Sequence, residues 1–85
     1  MEKTNRRAGE LIIQAIKKQI RQNDPPETKE TFDRLRRDGL AKEEIYRMLG
    51  CVLTSEMYEV LKQEREFNRD LYVQRLHALP KLPWE

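Results

Sequence analysis

The stretch from Lys42 to Gln63 carries apolar residues at a helical period with almost no charge to divide them. At about 100° per residue, Ile45, Met48, Leu49, Val52, Leu53 and Val60 share one broad face. Cys51, Thr54, Ser55 and Tyr58 fill the other side with small or mildly polar groups. Between Met48 and Leu61 the only charges are Glu56 and Glu59. A helix so lightly charged around its girth is buried on more than one side, so the segment is expected to be central. Glu56 falls near the middle of its apolar face, where a carboxylate must be partnered or protonated.

The rest of the chain is organised around that helix. Pro25-Pro26, Gly39, the polar stretch Glu66 to Asn68, and Pro80 punctuate it, and no segment alternates with period two for long. Four helices are predicted in one compact all-α domain, with a C-terminal tail folded back on it. The first covers about Asn5 to Gln22, with Ala8, Leu11, Ile12, Ala15, Ile16 and Ile20 on one face and Ile13 widening it. The second starts at Pro26, which suits a first helical turn, and runs to about Asp38. It turns Thr28, Thr31, Phe32 and Leu35 inward, and Gly39 serves as its left-handed cap. The fourth covers about Arg69 to Leu79 behind an Asn68 cap, with Phe67 and Tyr72 spaced as a hydrophobic staple and Tyr72, Leu76 and Leu79 facing inward. Leu82 and Trp84 are expected to peg the tail to the bundle.

Charge divides the chain in two. The whole is close to neutral at +2, yet residues 1–22 hold six basic and two acidic side chains, leaving −2 for residues 23–85. The first helix is therefore a basic amphipathic arm on a slightly acidic body. No run approaches the roughly 18 uninterrupted apolar residues of a membrane span. The first residues lack the apolar core and cleavage site of a secretory leader. One cysteine, Cys51, cannot close an internal disulfide, and the expected location is the cytoplasm. A single histidine, His77, excludes a multi-histidine metal centre.

The run Asp24-Pro25-Pro26-Glu27-Thr28, then Arg34-Leu35 and Gly39, then Glu56-Met57-Tyr58-Glu59-Val60-Leu61-Lys62, resembles a small bacterial helical family of unknown function. Phe67-Asn68, Tyr72-Val73, Leu76 and Leu79-Pro80-Lys81-Leu82-Pro83 continue the resemblance, which spans about Asn23 to Glu85. It implies a compact helical domain and brings no catalytic or ligand-binding residues. Such sequences often place Ser before the third helix, where this chain has Ala41. A weaker start to that helix follows, by about 1 kcal/mol.

Glu56 is the side chain that most needs explaining. As a functional group it would be an acid or base with a raised pKa in a small pocket. As a structural group it would be a buried hub paired with Arg34, Arg75, Tyr46 or Tyr72, and this is the preferred reading. His77 reads as a boundary histidine near carboxylates, and Cys51 as a packed, inert thiol. No catalytic constellation, cofactor motif, metal set or small-molecule site is expected. Residues 39–62 superficially resemble a helix-turn-helix with Gly50 at the turn. Val52 and Leu53 continue the helical stripe instead, and Glu56 and Glu59 have the wrong sign for a phosphate backbone.

The best functional surface in the sequence is helix one, through Arg6, Arg7, Ile13, Lys17, Lys18, Ile20 and Arg21. The expected function is a non-enzymatic protein-interaction or regulatory module. Self-association enters because a domain this short buries only about 60–65% of its unfolded surface. The alternative is a nucleic-acid-binding helical domain that uses the basic helix or residues 39–62.

Overall fold

A computed structural model describes the backbone of residues 2–85 and the side chains of residues 7–85. Four helices follow one another: α1 (Glu2–Gln22), α2 (Pro26–Arg37), α3 (Lys42–Gln63) and α4 (Arg69–Ala78). The fold is the all-α four-helix domain expected from the sequence. None of these helices is long and apolar enough to cross a membrane.

Each boundary has a local cause. Pro25 is extended (φ −74°, ψ 150°) and Pro26 opens α2. Gly39 adopts φ 94° just past α2, where an L side chain is disfavoured. A Cβ there would meet nothing within 4 Å, so only the backbone resists substitution. Gly39→Ala is expected to lose about 1 kcal/mol, read as a fall of roughly 4–8 °C in melting temperature. No side-chain bond caps α3 at Ala41. At α4, Asn68 Oδ1 accepts the Leu71 N–H at 3.0 Å, and the Phe67 and Tyr72 rings meet edge-on at 5.2 Å. The staple spacing read from the sequence is therefore a real contact.

The core joins Ile16 of α1, Leu35 of α2, Ile45, Leu49, Val52 and Leu53 of α3, and Tyr72, Leu76 and Leu79 from α4 and its end. α3 packs against all three other helices, and so does α2. The centre is thus shared, because α2 lies between α1 and α4. Those two outer helices are joined through one amide: Gln19 Oε1 accepts from the Tyr72 hydroxyl at 3.0 Å and the Thr28 hydroxyl at 2.8 Å. Gly50 lets α1 come close to α3, since a Cβ there would stand 3.1 Å from Ile12 Cγ2. The tail folds back through Leu79 and Leu82. Trp84 differs from its expected role as a peg and is 66% exposed.

Two further departures concern amphipathic faces. The second face of α3 is covered only in part, because Thr54, Met57, Tyr58 and Leu61 are exposed in its C-terminal half. On α1, residues 7–11 are all exposed, and burial begins only at Ile12. The bundle closes at one end and stays open at the other.

Candidate functional site

Two features lie at the open end, an ion-pair cluster and an apolar groove. The cluster is organised by the turn after α3. Glu64 takes a left-handed conformation (φ 51°, ψ 46°), which reverses the chain and carries Arg65 back along the helix it has just left. Arg65 then grips the buried Glu56 with both ends of its guanidinium, Nη1 to Oε2 at 2.6 Å and Nη2 to Oε1 at 3.0 Å. Its other N–H groups reach Glu59 Oε2, the Glu66 carbonyl and Gln63 Oε1 at 2.8–3.1 Å. All five donors of the guanidinium are engaged. The Asn68 N–H donates to Glu56 Oε2 at 2.7 Å, so the same carboxylate fastens the residue that caps α4. Arg75 Nη2 bonds Glu59 Oε1 at 3.0 Å, and Nη1 stands 3.9 Å from Glu56.

These contacts determine the charge state of Glu56. The Arg65 hydrogen bonds hold its carboxyl below the usual carboxylate range, against the opposing pull of burial and with help from the Asn68 N–H. The raised pKa of a buried acid or base is thus reversed in direction. Glu59 is lowered likewise, first by its bond to Arg75. The cluster is a clasp that joins α3, the following turn and α4.

Of the partners named for Glu56 from the sequence, Arg75 stands beside it and the other three act elsewhere. Arg34 donates to the carbonyls of Leu79 at 2.9 Å and Leu76 at 3.3 Å, closing the C-terminus of α4. Tyr46 packs on Phe32 at 5.2 Å between ring centres, with the Lys17 ammonium 5.2 Å over its ring. Tyr72 bonds Gln19. Arg65, the main partner, was missed because it lies outside every helix and reaches Glu56 only after the turn at Glu64. Acidic residues at 56 and 59 before an arginine-bearing turn are the one signal that could have pointed to it.

The groove lies between the N-terminal half of α1, the second face of α3 and the tail, with a volume of about 1110 Å³. Ala8, Gly9, Gly50, Cys51, Thr54 and Ser55 are its small residues; its large apolar ones are the half-buried Ile12, Ile13 and Tyr46 and four exposed ones, Met57, Tyr58, Leu61 and Trp84. Six large apolar side chains are exposed among the described residues, and these four are among them, so the exposure is gathered in one place. Leu61, at 78%, is the most open.

The expected partner surface on α1 divides. Ile13 is half-buried and lines the groove, whereas Ile20 packs on the core. Arg7, Lys17, Lys18 and Arg21 are exposed, and the side chain of Arg6 lies outside the described residues. His77 is exposed and Cys51 is half-buried. α3 runs unbroken through Gly50, so residues 39–62 contain no helix-turn-helix. Comparison with protein-family models, with curated proteins and with solved structures gives no match for this chain.

Proposed function

We propose that this chain is a non-enzymatic protein-interaction module of the cytoplasm that works through the groove between α1, α3 and the tail. The observation that supports this reading is the gathering of Met57, Tyr58, Leu61 and Trp84 on one open concavity. Scattered exposed apolar residues are ordinary, whereas a contiguous patch marks a contact surface. The cytoplasmic assignment rests on the single unpaired cysteine. A photo-crosslinking residue at Tyr58, expressed in the native cell, is expected to yield a discrete protein adduct. The same residue at Lys29, exposed on α2, is expected to yield none. Equal labelling at the two positions, or none at either, would remove the reading.

The nucleic-acid alternative draws on Lys17, Lys18 and Arg21, all exposed near the end of α1. So few cations give a shallow salt dependence. Duplex binding that falls with salt at this shallow slope, and is lost on Lys17→Glu with Lys18→Glu, would favour this alternative over protein docking.

A further inference from the structure

We infer that the groove receives an acidic amphipathic helix from a partner protein, an assignment that rests on the docking role proposed above. Shape is the first argument. Small side chains lie between large ones, which lets a helix backbone approach closely while its apolar residues interdigitate with the larger ones. The α3 side of the groove, from Tyr46 to Leu61, extends for roughly 23 Å, the length of about four helical turns.

Charge selects the kind of helix. The only carboxylate lining the groove among the described residues is Glu59, and Arg65 and Arg75 already neutralise it. Arg47 and Lys62 also line the groove, and neither forms an ion pair among the described residues. Lys17 extends this positive edge over Tyr46, and Lys62 stands 5.6 Å over the Tyr58 ring. A helix with Glu or Asp beside its apolar stripe meets these cations along its length.

The same two properties disfavour other occupants. A second copy related by a two-fold axis would bring the same patch to itself, setting cation against cation. A bilayer surface engages protruding apolar faces, whereas these residues line a concavity.

The chain's only tryptophan, Trp84, lies on the groove and reports its occupancy. The probes are two synthetic 15-residue helical peptides with leucine at i, i+4, i+7 and i+11. One carries glutamate beside the stripe and the other carries lysine at the same positions. Titrated into the full chain at low salt, the glutamate peptide is expected to shift Trp84 emission to the blue and saturate. It should bind roughly tenfold more tightly than the lysine peptide, and the gap should narrow as salt rises. Arg47 and Lys62 are exposed, so Arg47→Glu with Lys62→Glu leaves the core intact and should reverse the preference. Equal affinity for the two peptides overturns the assignment. So does a concentration-dependent dimer in sedimentation without peptide, or a blue shift with phosphatidylglycerol vesicles and not with peptide. If neither peptide binds while the Tyr58 adduct still forms, the acidic helix is wrong and the docking role stands. Loss of both signals removes both.

Discussion

Glu56→Ala is expected to lower the unfolding free energy by about 3 kcal/mol and the melting temperature by roughly 15 °C. Three contributions add in one direction. The Glu56 side chain has no exposed surface, so its removal leaves space inside the fold. Arg65 loses two of its five hydrogen bonds, and the Asn68 N–H loses its acceptor. Arg65 is 25% exposed and regains some water, which keeps the loss at the low end for a broken buried pair. Glu56→Gln keeps the shape and part of the bonding, so it should fall between the variant and the parent chain. An unchanged melting temperature for both substitutions would exclude the clasp as a source of stability.

The same carboxylate makes stability depend on acid. Its folded pKa lies below the unfolded value of about 4.3, so the unfolded chain binds the proton more readily. The contribution is therefore complete above the unfolded pKa and is lost as pH falls through the folded one. Urea melts from pH 7 down to pH 3 should show the parent chain losing stability below about pH 5. Glu56→Ala should lose less over that interval, with Glu59 left to supply a smaller share of the slope.

Arg34→Met is the second large expected effect, a loss of about 2 kcal/mol read as roughly 10 °C in melting temperature. At the end of α4 the Leu76 carbonyl already accepts the Leu79 N–H at 3.2 Å, whereas the Leu79 carbonyl takes its bond from the guanidinium at 2.9 Å, which also adds a longer one to Leu76 from across the bundle. Its charge also opposes the negative end of the helix dipole. Leu79 is 1% exposed, so little water can replace the lost donor beside it. Methionine keeps the apolar stem and isolates the polar loss. Arg34→Lys should recover only part, because one ammonium cannot span carbonyls as a planar fork does. A melting temperature within 2 °C of the parent chain would show that water closes this helix end equally well.

What was legible in the sequence was whatever a single helix decides for itself. The span of α3, the Asn68 cap, the Phe67–Tyr72 staple and the turn at Gly39 each depend on residues a few positions apart. The burial of Glu56 was also readable, since its angle on the helix places it among Ile45, Val52 and Val60. Its partner was not. Glu64 adopts a left-handed conformation without the glycine or asparagine that usually announces one, so nothing local indicates that Arg65 turns back. Tyr72 and Arg34 were misplaced for a related reason: their acceptors on Gln19 and on the end of α4 lie 53 and 42–45 positions away. The open second face of α3 was hidden because periodicity marks which residues are apolar and says nothing of whether a neighbour reaches them. α1 reaches that face at Ile12 and Gly50.

Glu59 and Arg75 belong both to the clasp and to the lining of the groove. Whatever seats there shields their ion pair from water, and the attraction between them strengthens as the local dielectric falls. On the proposed docking role, docking and the anchoring of α4 would be linked equilibria: an occupant that strengthens this pair would stabilise the fastening of α4, and a loosened α4 would weaken the occupant's hold. One coupling free energy would then enter both the melting of α4 and the release of a partner.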